Sequence, residues 1–125
     1  MTETTLTEAR EAVADALTAL EGLNVRARGP VKLPRTGDGW VTVGRLTPAS
    51  YTACSVTVVA VIILGADTAA AEELLDLWAV DIIDAVTTAE DLPVSDVALE
   101  PITLVVESGA TLHALTVTLT TEVET

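Results

Sequence analysis

The sequence predicts an α+β fold: a single domain in which a mainly antiparallel sheet of about 4-5 strands has two helices packed on one face. Three observations point there. Two segments repeat their apolar residues at helical spacing, one near the start and one after residue 67. The segments between and after them are runs of Val, Ile and Thr with the alternation of strands. The 125 residues, 50% of them hydrophobic, suit a single domain with a sizeable core and argue against disorder.

The first helix opens at Thr5, which forms a capping box with Glu8, and Gly22 stands where a C-terminal cap belongs. Leu6, Ala9, Val13, Leu17 and Leu20 share one stripe, opposite Glu8, Glu11 and Asp15. A short strand over Asn24–Ala27 follows. Residues 28–39, RGPVKLPRTGDG, form an extended Pro/Gly-containing loop, a type that often carries function in a compact domain. Trp40–Leu46 alternates as a strand, Thr47–Ser50 turns the chain, and Tyr51–Leu64 is the long central strand.

The end of that strand, VTVVAVIIL, raises the question of a membrane span. Nine residues fall far short of the roughly 20 that a spanning helix needs. Six of the nine are Val or Ile, which favour a pleated surface, and their apolar character predicts cover on both faces of the sheet. Gly65 breaks the run and Asp67 is placed to cap a helix over residues 68–88. Strands over 94–107 and 111–123 close the domain as a hairpin through Ser108-Gly109-Ala110, with Pro101 expected at an edge or a bulge. No internal repeat or linker divides residues 1–125.

Charge is unevenly placed within the net −13. Arg10, Arg26, Arg28, Lys32, Arg35 and Arg45 are all the basic residues, and the chain after position 45 is purely acidic. Most of this surface would repel a phosphate backbone. Two readings fit: a solvated acidic surface that maintains solubility, or a basic segment 26–45 that docks on the acidic part of another copy.

Chemistry is sparse. Cys54, the lone cysteine, reads as a small buried hydrophobe, and His113, the lone histidine, as a structural residue alternating with Leu115, Val117 and Leu119. TGDGW lacks the length and lysine of a phosphate loop and reads as a turn. Thr116, Thr118, Thr120 and Thr121 suit a strand face at least half open to water. No carboxylate pair sits in an apolar setting that would mark an acid–base couple. No enzyme activity, metal or cofactor is expected. The opening MTETTLTEAREAV lacks a basic segment followed by an apolar one, so no secretory signal is expected.

The second helix has more apolar surface than one sheet requires. Ala71, Leu74, Leu75, Trp78, Ile82, Ala85 and Val86 form its core stripe, and Glu72, Glu73, Asp76, Asp81 and Asp84 its polar side. Leu77, Val80 and Ile83 run between those acids. Either neighbouring loops and the first helix cover them, or another subunit does.

The order of LTEAREAVADALTALEGLNV, the hook RGPVKLP, GWVTVGRL, YTACSVTVVAVIIL, DTAAAEELLDLWAVDIIDAV and two closing strands resembles the tail-terminator (tail completion) proteins of long-tailed, siphovirus-like phages, those of actinobacteria in particular. The resemblance covers nearly the whole chain through element order, size and texture. It implies a virion protein at the tail–neck junction, assembled in the host cytoplasm as a homo-oligomeric ring, a hexamer. Such a ring caps the tail tube, ends its polymerisation and joins it to a neck or stopper protein, while DNA passes through the lumen without specific binding. It implies no catalytic residue, cofactor or membrane partner. Within a ring, Arg26, Arg28, Lys32 and Arg35 are candidates for one subunit contact and Asp76, Leu77, Val80, Ile83 and Asp84 for the other. The alternatives are another neck component, a head–tail stopper or connector, or a small cytoplasmic binding module.

Overall fold

The computed structural model describes residues 6–29, 31, 34–89, 94–105 and 108–124. Two helices and five strands follow in the order α1 (Leu6–Thr18), β1 (Asn24–Arg26), β2 (Asp38–Pro48), β3 (Ala53–Gly65), α2 (Thr68–Thr88), β4 (Val94–Val105) and β5 (Thr111–Glu124). The strands form one sheet in the order β1-β2-β3-β5-β4. β1 lies parallel to β2, and the other neighbours are antiparallel. This is the expected α+β domain. Among the described residues no helix is long and apolar enough to cross a membrane.

The pleat of β3 sorts its side chains. Val56, Val58, Ala60, Ile62 and Leu64 face the helices and pack with Ala9, Val13 and Leu17 of α1 and with Trp78, Ile82 and Val86 of α2. Each fully buried Ile or Leu of this layer, such as Ile62, Ile82 or Leu115, contributes about 1.5–3 kcal/mol relative to exposure. Val61 and Ile63 point to the opposite face, where Trp40 and Ala114 join them in a second, smaller cluster. The cover expected on both sides is therefore present, and part of it comes from the segment after β1. Val31 packs on this cluster, and Gly29 lies so close to Trp40 that a Cβ there would overlap the indole.

Several boundaries differ from expectation. The loop predicted over 28–39 is shorter, because Asp38 and Gly39 already pair with Asn24 and Val25. Thr47 and Pro48 are not a turn: they extend β2 opposite Ser55 and Cys54, and the chain turns at Ala49–Thr52, which moves Tyr51 from the strand to the turn. Thr116, Thr118 and Thr120 are half-buried on the face away from the helices, but Thr121 is 1% exposed. It pairs with Val56 and faces the helix layer, as period two demands. Cys54 is half-buried against the main core, and Pro101 sits on the edge strand β4. Of the expected first capping box, Thr5 lies outside the described residues. The helix stops at Thr18, before Gly22, and the Thr18 side chain engages β1.

That engagement seals one edge of the sheet. The Thr18 hydroxyl accepts from Val25 N–H (3.0 Å) and donates to Val25 C=O (3.1 Å), as a neighbouring strand would. Further along, Arg10 Nη1 donates to Val41 C=O at 3.1 Å, where β1 no longer covers β2. An unsatisfied edge is a template for unwanted pairing, and α1 blocks it with two side chains. Thr18→Val keeps the shape but removes both bonds. It should cost about 1–3 kcal/mol in chemical denaturation and accelerate hydrogen exchange at the Val25 amide. Unchanged protection of that amide would show that the seal lies elsewhere.

Candidate interaction surface

Helix α2 is fixed at its start by local chemistry. Asp67 has extended backbone (φ −85°, ψ 122°), and its carboxylate accepts from Ala70 N–H at 3.2 Å, as its N-cap position predicted. Near the other end, the hydroxyls of Thr87 and Thr88 return to the carbonyls of Ile83 and Asp84 at 2.7 and 2.6 Å. The helix packs on β3, β4 and β5, whereas α1 packs on β1 and β2 as well as reaching β3 and β5. Ala71, Trp78, Ile82 and Val86 are buried.

Within the described residues the additional apolar side chains stay largely or partly exposed. Leu77 is 63% exposed, Val80 73% and Ile83 43%. At 3.6 residues per turn, Val80 points directly away from the buried stripe, with Leu77 and Ile83 on its two shoulders. Asp76 and Asp84, one turn before and one turn after Val80, share its outer face and are exposed. The three apolar residues therefore cross the helix as an oblique band set among carboxylates. The α2 segment contains no Lys or Arg.

The cations are spread over the first part of the chain. Arg26 ends β1, the outermost strand, and is exposed. Arg28 is exposed and donates from Nη2 to the neutral Thr7 hydroxyl at 3.4 Å. Arg35 is exposed; its backbone N–H donates to Asp38 Oδ2 at 2.8 Å while Asp38 N–H donates to Arg35 C=O at 2.9 Å, a small closed turn that presents the side chain outward. Lys32 lies outside the described residues. The Arg35 turn adjoins the inner side of α2, since Gly37 approaches Trp78 and Thr36 approaches Gly65, whereas Arg26, paired with Trp40, lies on the sheet face away from the helices. Arg10, grouped with the cations by composition, is half-buried and tied to the Val41 carbonyl.

Three exposed apolar side chains escaped the sequence reading, one of them Val105 (74%) at the end of β4. Leu46 (52%) and Tyr51 project from the β2–β3 hairpin, beyond the cover of the helices. The signal was the pair of β-prone segments around Pro48-Ala49-Ser50, which fixes a hairpin tip once Pro48 is placed inside a strand. The hollow at this tip, about 520 Å³, is lined by the consecutive residues Pro48–Tyr51 and is a concavity of the turn. A groove of about 250 Å³ runs between α2 and the β4–β5 hairpin, lined by Leu64, Ala71, Leu75 and Pro101 among others. At its rim the half-buried His113 has Nε2 at 3.1 Å from the Thr68 hydroxyl. Among the described residues no three of His, Cys, Asp or Glu gather as metal ligands.

The chain matches no protein-family model, and no curated protein matches it significantly.

Proposed function

We propose that this chain is a ring-forming tail-terminator protein of a long-tailed phage. It closes the head-proximal end of the tail tube, stops addition of tube subunits and presents a surface to the neck protein. Its mechanism is packing, with no reaction and no cofactor. The observation that carries the reading is the band of Leu77, Val80 and Ile83, exposed on the outer face of a helix whose inner face buries Ala71, Trp78, Ile82 and Val86. Contiguous exposed apolar surface set in a polar rim marks a protein contact. The helix–sheet–helix–sheet order and the size of the chain add the resemblance to tail terminators.

A small-molecule binding module is the reading that the α2–β4–β5 groove would favour. The volume, about 250 Å³, is below the roughly 300–1,000 Å³ that such sites occupy, so the groove supports it less well than the band supports a protein contact.

Tail-length distributions in lysates lacking this protein, measured by negative-stain electron microscopy, test the proposal. Overlong tails separated from filled heads are expected. Tails of normal length beside unjoined heads would move the protein to another place in the neck, and normal infectious particles would reject a role in the virion.

A further inference from the structure

We infer that the outer face of α2 docks a cationic amphipathic helix of a different protein. Leu77, Val80 and Ile83 are its apolar ridge, and Glu73, Asp76, Asp81 and Asp84 are the charges that flank the ridge. The inference deepens the reading above: it rests on the protein contact assigned there to α2, and not on a place in the virion or on closure of a ring.

Helical spacing sets the arrangement. Residues three apart on a helix form rows inclined to its axis. Leu77, Val80 and Ile83 are one such row. Glu73 and Asp76 belong to the row on its N-terminal side, and Asp81 and Asp84 to the row on its C-terminal side. All four carboxylates are exposed, like the three apolar residues between them. A single ridge of this kind fits the groove between side-chain rows of a second helix, at roughly 20° where the facing rows are four residues apart. The apolar contact supplies affinity, and negative charge on both sides of it selects a partner with cations along both edges.

Charge also excludes this chain as the occupant. A second α2 would set carboxylates against carboxylates, because α2 carries no Lys or Arg. The other helix, α1, carries Arg10 alone beside Glu8, Glu11 and Asp15, and Arg10 is half-buried and held by the Val41 carbonyl. The remaining described cations are dispersed over strands and turns. Arg26 and Arg45, the register partners of Trp40 and Thr57, lie on the sheet face away from the helices. Arg28 reaches Thr7, and Arg35 has Asp38 beside it. Outside the described residues Lys32 is the sole basic side chain. No segment of this chain is a helix with cations along both edges, so the partner brings them.

The test measures fluorescence anisotropy of labelled synthetic peptides about 18 residues long, five turns of helix. The probe has Leu along one stripe and Arg on both sides of it. One control keeps the Arg and replaces Leu by Ser, and another keeps the Leu and replaces Arg by Glu. The proteins are the parent, Val80→Asp, the pair Asp76→Lys/Asp84→Lys, and the pair Asp96→Lys/Glu100→Lys, which makes the same charge change on β4. All five positions are exposed, so matching thermal melts exclude misfolding. The parent should bind the Leu/Arg peptide alone, and more weakly as salt rises. Val80→Asp and the α2 pair should each weaken binding at least about tenfold, and the β4 pair by no more than about threefold.

No binding of the Leu/Arg peptide up to millimolar concentration would overturn the contact. Equal binding of the Ser/Arg or Leu/Glu peptide, or equal losses from the α2 and β4 pairs, would do so too, since either removes the specific ridge. A parent oligomer in sedimentation velocity that Val80→Asp abolishes would mean that a second copy covers the ridge, and would overturn it as well. These results separate from the tail-length experiment. Overlong tails without peptide binding would reject this contact and leave the terminator reading standing, whereas normal tails with ridge-dependent binding would do the reverse.

Discussion

Gly37→Ala should be among the most damaging single-methyl changes in this protein. Gly37 has φ +91°, a region in which an L side chain costs about 1–2 kcal/mol. The added Cβ would also run into the carbonyl oxygen of Gly22. Neither backbone can retreat cheaply. Gly37 N–H donates to Ile63 C=O at 2.8 Å and Gly37 C=O accepts from Asn24 N–H at 2.9 Å, so the residue ties β3 to the start of β1. Relieving the overlap means breaking one of these bonds or moving the α1–β1 turn away from α2. A loss of about 3 kcal/mol or more follows, against the 5–15 kcal/mol typical of a whole domain. At roughly 4 °C per kcal/mol, the melting temperature should fall by about 12 °C. Gly109→Ala is the internal control. Its φ of +88° is similar, but nothing lies within 4 Å of the added methyl. It should lose only the conformational part, about 1–2 kcal/mol. Equal losses at the two positions would mean that the Gly22 carbonyl yields freely and that the junction is not rigid.

What could be read from the sequence was what depends on near neighbours. Asp67 capping α2, the core stripe ending at Val86 and the buried run of β3 each follow from a local pattern, and the structure has all three. Pro48 misled because proline punctuates chains. It is accepted in β2 because β1 pairs only with Asp38–Trp40, leaving β2 with a neighbour on one side at Pro48. Thr121 was a misapplied period: two residues beyond Leu119, it belongs on the helix face. Other features depend on docking and had no local signature. Arg10 looks like any surface cation until α1 lies along β2, and Gly29 looks like loop punctuation until the chain crosses Trp40. The α2 band was visible as a surplus of apolar residues, but spacing alone could not say what covers them. The placement of α1 over β1 and β2 leaves their outer side open.

Trp78→Ala should cost about 3–5 kcal/mol, the range for truncating a buried tryptophan, and it isolates the inner role of the helix whose outer face is the candidate contact. Trp78 is 7% exposed and directs its six-membered ring at Gly22 and Gly37, so it fills the space where α2, the α1–β1 turn and the start of β2 converge. Removing it leaves a cavity bounded partly by backbone, which collapses poorly, and the loss should sit at the upper end of that range. Val80, half a turn away, should behave in the opposite manner. At 73% exposure, Val80→Asp should change stability by no more than about 0.5 kcal/mol. Denaturant titration of the two variants, made at a concentration where both are monomeric, separates packing from association. A small loss at Trp78 would mean that α2 is held mainly by Ile82 and Val86. A large loss at Val80 would mean that the band is covered within the single chain, and it would remove the physical basis for a docking face on this helix.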